Sequence, residues 1–239
     1  DGCGAAAGLP QQDTIFEPVK MRQTMARRMA QSKGPAPHYY LTVDIEMTEA
    51  QALRKQVNES AKGEYKVSVN DLVSRAVVLA LGKHPLFNAT FTESGQIKLN
   101  SRVNLGLAVA LPDGLIAPCV IDVGRASLIQ LSQASRDLAE RARANRLRPD
   151  EYADGTFTIS NLGMYGIDTL VAIINPPQTA ILGVGRVIEK PVAREGQVVV
   201  REMMTAALSA DHRVTTGAEG AEFLRTIRET LENPVRLLV

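Results

Sequence analysis

The stretch Ser209-Ala-Asp-His-Arg-Val-Thr-Thr-Gly-Ala218 joins the two clearest elements of the chain. The apolar run 198–208 before it has the length and β-branched content of a strand. The segment 218–232 after it has the apolar periodicity of a helix. His212 therefore lies on a short loop between two rigid elements, where catalytic side chains are common. Because an imidazole accepts and returns a proton near neutral pH, we take His212 as the first candidate for chemistry.

Composition narrows the possible classes of protein. The chain has 239 residues, 45% of them hydrophobic, which is enough for one large domain or two small ones. A formal net charge of +1 argues against nucleic acid or an anionic membrane as the partner. No apolar run reaches the roughly 18 residues of a membrane span. Cys3 and Cys119 are far apart and no Cys/His cluster has ligand spacing, so we expect a reducing compartment and no metal.

The order of elements predicts the fold class. Residues 1–14 have the Gly/Ala character of a flexible tail or linker, and residues 15–239 read as one domain. Helical patterns cover 20–33, 48–60, 68–82, 127–147 and 218–232, and strand patterns cover 40–47, 103–111, 115–121, 156–160, 179–188 and 198–208. Because helices precede, interrupt and follow the strands, we predict a two-layer α/β (α+β) sandwich with a mixed β-sheet.

Local patterns add further expectations. Three helix starts carry the pattern of a capping box, namely Thr48-Gln51, Ser68-Asp71 and Ser127-Gln130. Met21, Met25 and Met29 recur every four residues and predict a stripe that packs into the core. Gly183-Val-Gly185 is weak evidence for nucleotide binding, since it lies inside a strand pattern rather than after one.

Ser160 lies where a predicted strand passes into a glycine-punctuated loop. Its hydroxyl can cap a turn, or it can donate a hydrogen bond to an oxyanion, and the local sequence leaves both open. No Gly-x-Ser-x-Gly elbow surrounds it, which argues against a triad nucleophile. His38 and His84 sit beside prolines and are expected to be turn residues.

Several motifs together resemble one family. They are Arg22-Gln-Thr-Met-Ala-Arg-Arg-Met-Ala-Gln-Ser-Lys33, Pro37-His-Tyr-Tyr40, Val67-Ser-Val-Asn-Asp-Leu72, Gly155-Thr-Phe-Thr-Ile-Ser-Asn-Leu-Gly-Met-Tyr-Gly166, Ala172-Ile-Ile-Asn-Pro-Pro-Gln178 and Asp211-His-Arg-Val-Thr-Thr-Gly217. From Ile15 to Val239 the chain resembles the C-terminal acyltransferase core of the 2-oxo acid dehydrogenase complexes. More distantly it is similar to chloramphenicol acetyltransferase, whose sandwich packs its helices on one side of the sheet.

The resemblance implies a reaction and partners. An acyl group, acetyl in the most similar members, would pass between a dihydrolipoyl group and coenzyme A. His212 would be the general base, and Ser160 from a neighbouring subunit of a homotrimer would stabilise the tetrahedral intermediate. The lipoyl group would be carried on a separate lipoyl domain, and the other partners would be the 2-oxo acid decarboxylase and dihydrolipoyl dehydrogenase components. The compartment would be the cytoplasm of a bacterium or the mitochondrial matrix of a eukaryote.

The resemblance also assigns supporting residues. At position 216 the family motif has an aspartate that pairs with an N-terminal arginine, so Thr216 would leave Arg28 or Arg22 without that partner. Gly217 would permit the tight turn into the last helix. Residues lining the substrate or coenzyme A channel would be Asn161, Asp211 and Arg213.

The C-terminal tail implies a larger assembly. In the family such a tail inserts into a neighbouring trimer and builds a core of 24 or 60 chains, for which Leu237 and Leu238 are the candidates. The alternative is a tail that is tucked against its own domain.

Two other functions stay open. Because Thr216 replaces the expected aspartate, the chain could be a structural core subunit without turnover. A free-standing O-acetyltransferase acting on a small hydroxyl compound is the third reading, and the linker-like N-terminus weakens it.

Overall fold

The computed structural model describes residues 12–111 and 114–238. Helices α1–α6 span Lys20–Lys33, Thr48–Ser60, Val69–Lys83, Leu128–Arg143, Pro149–Ala153 and Gly217–Glu232. Strands β1–β11 span His38–Glu46, Ala89–Phe91, Ile97–Leu99, Leu105–Leu107, Val109–Leu111, Gly114–Ile116, Cys119–Val120, Phe157–Asn161, Ala180–Val184, Ile188–Arg194 and Gln197–Asp211. Most of the predicted tail at 1–14, and most of the predicted turn at 112–114, lie outside the described residues.

The main sheet confirms the predicted fold class. Its strand order is β1-β11-β9-β8-β4-β7, and β10 pairs with the first half of β11. Strand β8 runs parallel to β4 and β9, whereas β11 is antiparallel to β1, β9 and β10, so the sheet is mixed. Helices α2, α3, α4 and α6 contact one another in the second layer. No helix in the described part of the chain is long and apolar enough to cross a membrane.

Strand β11 is the longest strand of this sheet and has neighbours on both sides. On one side it pairs with β1 along the whole length of β1, from His38 opposite Asp211 to Glu46 opposite Met203. On the other side it pairs with β9 and then with β10. Because both sides of β11 are paired, its last residues and the loop that follows them are fixed in position relative to the sheet.

Gly183 in β9 and Gly185 directly after it leave space for residues 168–170. A Cβ added to Gly183 would lie 1.9 Å from the Leu170 carbonyl oxygen, and one added to Gly185 would lie 1.8 Å from that of Asp168. Gly183-Val-Gly185 therefore permits close packing of residues 168–170 on the sheet, which accounts for the motif without a nucleotide.

Several predicted elements are shorter than expected. The predicted strand at 103–111 divides into β4, which lies in the main sheet, and β5, which pairs with β6 in a separate two-stranded sheet. Helix α4 ends at Arg143, and Asn145 follows with a left-handed φ of 53° that cannot continue a helix. The strand at 179–188 divides into β9 and β10, because the N–H of Arg186 turns to the carbonyl of Ile167.

The cap predictions had mixed outcomes. Ser68 and Ser127 form the predicted capping boxes at the starts of α3 and α4. The box at Thr48 was wrong, because Met47 is the N-cap of α2 and the buried Thr48 hydroxyl has no hydrogen-bond partner among the described residues.

The methionine stripe of α1 does not pack into the core. Ser32 is the buried residue of this helix, and Met25 is 37% exposed. The three methionines instead line a cavity between α1 and the rest of the domain.

Candidate active site

His212 lies immediately after the last residue of β11. Its backbone N–H donates to the Pro37 carbonyl at 2.9 Å, which attaches the loop to the residue before β1. Its side chain is exposed. A fixed backbone with an exposed imidazole is the arrangement that a general base needs in order to reach a substrate.

The residues on either side of His212 bind each other. Arg213 donates from Nη2 to Asp211 Oδ2 at 2.7 Å and from its backbone N–H to Asp211 Oδ1 at 3.0 Å. The guanidinium also lies 4.3 Å from the centre of the Phe91 ring. Its hydrogen bonds to the Asp211 carboxylate raise the pKa of the Arg213 guanidinium. These contacts hold the loop around His212, and a contact of either residue with coenzyme A stays a prediction.

Tyr39 on β1 also touches this loop. The centre of its ring lies 4.9 Å from that of His212, and its hydroxyl donates to the Thr216 carbonyl at 2.9 Å. No role was predicted for Tyr39 beyond its place in a motif, because its neighbours follow from the pairing of β1 with β11.

Thr216 is the N-cap of α6. Its hydroxyl accepts from the Glu219 N–H at 3.4 Å and donates to the Glu219 carboxylate at 2.9 Å, and its own N–H donates to that carboxylate at 2.7 Å. This capping box satisfies donors at the start of the helix. The spacing Thr216-x-x-Glu219 is itself a capping-box pattern, although no cap was predicted at this position.

The predicted arginine partners of position 216 lie elsewhere. Among the contacts of the described residues, neither Arg22 nor Arg28 forms a hydrogen bond or ion pair with Thr216. Arg22 is exposed on α1, and Arg28 lines the cavity beneath that helix. The support that Thr216 receives within the chain comes from Glu219 and Tyr39 instead.

Gly217 is the first residue of α6. An added Cβ would meet no atom within 4 Å, and its φ is not left-handed. The turn into the helix therefore does not need a glycine here, so the predicted role of Gly217 is not supported within one chain.

Ser160 and Asn161 end β8 and face the cavity beneath α1. Ser160 is 8% exposed. Asn161 accepts from the Gly163 N–H at 2.8 Å and donates to the Asn70 side chain at 3.2 Å, which holds the loop after the serine. Asn161 thus has a structural role beside any contact with substrate.

The loop 172–178 is held from three elements. Ser209 on β11 donates to the Ala172 carbonyl at 2.6 Å, and Ser32 on α1 donates to that of Ile174 at 2.6 Å. His38 accepts from the Ile174 N–H at 3.3 Å through Nε2, so its other nitrogen donates to the Ala36 carbonyl at 2.8 Å. Both ring nitrogens of His38 are occupied, which agrees with the structural role expected for it.

Within one chain, His212 and Ser160 lie at opposite edges of the sheet, meaning the two sides at which its strands end rather than its outermost strands. Ser160 on β8 is the register partner of Gly183 on β9, and Gly183 is in turn the register partner of Ala207 on β11. His212 follows Ala207 by five residues. Two strand spacings and five residue steps separate the two Cα atoms by roughly 20 Å. One chain therefore presents both side chains but does not bring them together.

The cavity beside Ser160 has a volume of about 1170 Å³. Five basic side chains line it, namely Lys20, Arg28, Lys66, Arg136 and Arg143. None of the five is ion-paired to a carboxylate of the described residues. Asp71 is the acidic side chain among the described lining residues, and it accepts from Ser68 and Ser132. The cavity thus combines an apolar wall with an excess of positive charge.

The two candidate tail leucines differ in exposure. Leu237 is completely buried in the core of its own chain, and its carbonyl accepts from Arg75 at 3.4 Å. Within one chain Leu237 thus follows the alternative of a tail tucked against its own domain, and its insertion into a neighbouring trimer stays a prediction. Leu238 is 53% exposed and keeps the predicted role.

Other reactive groups do not converge on His212. Burial raises the pKa of the Cys119 thiol to about 12, and its sulfur lies 3.4 Å from the Glu151 carbonyl. A thiol in this state is a poor nucleophile at neutral pH. Among the described residues, no group of three or more His, Cys, Asp or Glu side chains is placed to hold a metal ion.

Residues 10–239 match the model of the 2-oxoacid dehydrogenases acyltransferase (catalytic domain) family. The chain belongs to this family. The dihydrolipoyllysine-residue acetyltransferase component of the pyruvate dehydrogenase complex of Rhizobium meliloti (strain 1021) is 41% identical over 224 residues, which cover 92% of this chain and 50% of that protein. The mitochondrial component of Schizosaccharomyces pombe is 42% identical, with 92% and 46% covered. The chain thus spans about half the length of these curated relatives.

Solved structures agree with this family. An Azotobacter vinelandii dihydrolipoamide acetyltransferase, studied for the roles of a serine, a histidine and an asparagine in its catalytic mechanism, has a TM-score of 0.90 and 32% identity over 95% of each chain. The atomic structure of the cubic core of a pyruvate dehydrogenase multienzyme complex gives the same values. A chloramphenicol acetyltransferase has a TM-score of 0.56 at 15% identity, covering 86% of this chain and 94% of that one, and so shares the fold.

The cap at Thr216 makes a testable difference between substitutions. Thr216→Ala removes both the acceptor and the donor of the capping box, so we expect a loss of about 0.5–2 kcal/mol in the free energy of unfolding. Thr216→Asn keeps an acceptor for the Glu219 N–H and a donor for its carboxylate, so it should stay within about 0.5 kcal/mol of wild type. Urea denaturation followed by far-UV circular dichroism measures both.

Thr216→Asp is the informative control for this cap. Its carboxylate would face the Glu219 carboxylate that now accepts from Thr216, so we expect it to be less stable than Thr216→Asn at neutral pH. A Thr216→Asp variant that is at least as stable as Thr216→Asn would contradict this expectation and show that the Glu219 carboxylate does not repel it.

Proposed function

We propose that this chain transfers an acetyl group between coenzyme A and a dihydrolipoyl group, with His212 as general base and Ser160 as hydrogen-bond donor to the tetrahedral intermediate. The observation that carries the proposal is the placement of these residues at the ends of β11 and β8, on a fold shared with dihydrolipoamide acetyltransferases. Ser160 and His212 are separated by as many positions as the serine and histidine of the Azotobacter vinelandii enzyme.

The same comparison bears on Thr216. The asparagine of that enzyme follows its histidine at the interval at which Thr216 follows His212. An uncharged side chain at this position therefore occurs in an enzyme whose catalytic mechanism includes it. Because asparagine and threonine both serve as N-caps, the absence of a carboxylate at 216 does not favour an inactive structural subunit.

The reaction follows from the groups present. The unprotonated imidazole of His212 accepts the proton of the attacking thiol, and the resulting sulfur anion forms a bond to the thioester carbonyl carbon. The carbonyl oxygen becomes an oxyanion, to which the Ser160 hydroxyl donates a hydrogen bond. Collapse breaks the bond to the other sulfur, which leaves as a thiolate and receives the proton from His212. Neither side chain becomes acylated, and the acetyl group ends on the second thiol.

The separation of the two side chains implies the assembly. A tetrahedral intermediate must contact both groups at once, whereas one chain holds their Cα atoms roughly 20 Å apart at opposite edges of the sheet. A head-to-tail contact between copies, closed into a ring, brings the His212 edge of one copy to the Ser160 edge of the next. The resemblance to the acyltransferase family implies that this ring is a homotrimer, assembled further into a core of 24 or 60 chains, with Leu238 as the exposed tail residue.

The complete protein and its partners follow from the relatives. The chain spans about half of the curated components of pyruvate dehydrogenase complexes that it matches. A lipoyl domain would deliver the acyl group, which the 2-oxo acid decarboxylase component would supply. The dihydrolipoyl dehydrogenase component would reoxidise the dihydrolipoyl group. The cytoplasm of a bacterium or the mitochondrial matrix of a eukaryote is the corresponding compartment. A free-standing O-acetyltransferase is less favoured, since the chloramphenicol acetyltransferase likeness extends to the fold alone.

The cavity beside Ser160 has the chemistry expected of a coenzyme A site. Coenzyme A carries a diphosphate and a ribose phosphate at one end and a thiol on an extended arm at the other. Arg136 and Arg143 lie on one face of α4 at the cavity and have no carboxylate partner among the described residues, so they can bind phosphate without breaking an ion pair. Ser160 at the same cavity would then lie near the thiol end of the arm.

The catalytic assignment is tested by acetyl transfer from acetyl-CoA to free dihydrolipoamide. We expect His212→Ala to lower kcat by roughly 10²–10⁴-fold, since it removes general-base help. Ser160→Ala should lower kcat by roughly 10²–10³-fold, the usual effect of losing one oxyanion donor. His84→Ala, a histidine far from this loop, is the control and should retain kcat. Turnover by His212→Ala equal to a measurable wild-type turnover would contradict the base assignment, whereas wild type with no turnover above an enzyme-free control would favour a scaffold.

The charge of the cavity is tested separately. The double change Arg136→Gln with Arg143→Gln should raise the KM for acetyl-CoA about tenfold, because each partly exposed charge contributes up to ~1 kcal/mol. The KM for dihydrolipoamide should not change. Arg146→Gln, just beyond α4 and outside the cavity lining, is the matched control. An equal rise in both KM values, or no rise in either, would show that the phosphates of coenzyme A do not bind at Arg136 and Arg143.

A further inference from the structure

Tyr39 touches both ends of the loop that carries His212. Its ring lies against the imidazole with the two planes at 60°, and the centres are 4.9 Å apart. Its hydroxyl reaches the far end of the loop, 2.9 Å from the Thr216 carbonyl and 3.0 Å from Thr215 Oγ1. One side chain on β1 thus joins the histidine at the start of the loop to the N-cap at its end.

The hydrogen bonds of this hydroxyl can be assigned. A phenol has one proton, and the Thr216 carbonyl can only accept, so the Tyr39 proton goes to that carbonyl. The Thr215 hydroxyl then donates its one proton to the phenol oxygen at 3.0 Å, in preference to the Asp211 carbonyl at 3.5 Å. Burial raises the pKa of the Tyr39 phenol, which keeps the proton in place at neutral pH. Both contacts therefore persist while the neighbouring imidazole exchanges protons.

Helix α6 leaves space for this side chain. A Cβ added to the buried Gly220 would lie 2.7 Å from the Tyr39 hydroxyl oxygen and 2.9 Å from Leu41 Cδ1. The glycine lies in the first turn of α6, which begins directly after Thr216. The close approach of β1 and α6 at Gly220 thus restricts the position of the phenol.

We propose that Tyr39 is a positioning residue for His212: its ring limits the orientations of the imidazole and its hydroxyl fixes the end of the same loop. The inference rests on the proposed role of His212 as base. Since a displacement of about 1 Å at a reacting group can lower a rate 10²-fold, such a support affects kcat without touching substrate.

Two substitutions separate the contributions of ring and hydroxyl. Tyr39→Phe keeps the ring against His212 and loses both hydrogen bonds, so we expect kcat to fall about 3–10-fold. Tyr39→Leu also loses the ring and should lower kcat roughly 100-fold. The KM values for acetyl-CoA and dihydrolipoamide should stay within about twofold of wild type in both variants, because uniform binding is unchanged.

Tyr40→Phe is the matched control. Tyr40 is the next residue on β1, is exposed, and bonds through its hydroxyl to Lys33 on α1 rather than to the loop. It loses the same hydroxyl from the same strand and should retain kcat.

The assay of His212→Ala in the same series separates the two proposals. If His212→Ala retains turnover, the base assignment fails and the role of Tyr39 with it. If His212→Ala loses turnover while Tyr39→Phe and Tyr39→Leu both keep wild-type kcat, only the positioning role is wrong. A rise in KM with unchanged kcat, or an equal loss in Tyr40→Phe, would also overturn it. Tyr39→Phe preserves the packing, so the test stands even if Tyr39→Leu does not fold.

Discussion

The pairing of β11 with β1 on one side and β9 on the other is the constraint on which the site depends. Because β11 is antiparallel to β9, and β9 is parallel to β8, the carboxyl ends of β8 and β11 point to opposite edges of the sheet. Ser160 lies at the carboxyl end of β8, and His212 lies directly after that of β11. The same pairing brings Tyr39 to the loop and attaches the His212 N–H to Pro37.

Because of this arrangement, the proposed chemistry of His212 and Ser160 requires an assembly of several chains. A single chain holds a rigid histidine loop at one edge, and at the other a serine beside a large basic cavity. Each edge is half of a site, and neither half can complete a tetrahedral intermediate. Catalysis and association are therefore linked by geometry, and the same family fold can serve as both an enzyme and the core of a larger particle.

Much of this could be predicted from the sequence, for physical reasons. The strand and helix around His212 have clear periodicity, and the boxes at Ser68 and Ser127 follow from short-range pattern alone. Tyr39 and the basic lining of the cavity could not be found, because they depend on strand register and on helices distant in sequence. The burial of Leu237 within its own chain could not be predicted, since an apolar residue near a chain end looks the same in sequence whether it is buried or exposed. The capping role of Thr216 was not predicted, although its partner Glu219 lies only three residues away.

The most direct test of the central claim mixes two inactive variants. His212→Ala and Ser160→Ala are co-assembled in equal amounts by refolding together, and acetyl transfer is measured. If each site takes its histidine from one copy and its serine from the next, random assembly restores about a quarter of wild-type activity. If the mixture is no more active than the two variants kept apart, the histidine and serine act within one chain and the account is wrong.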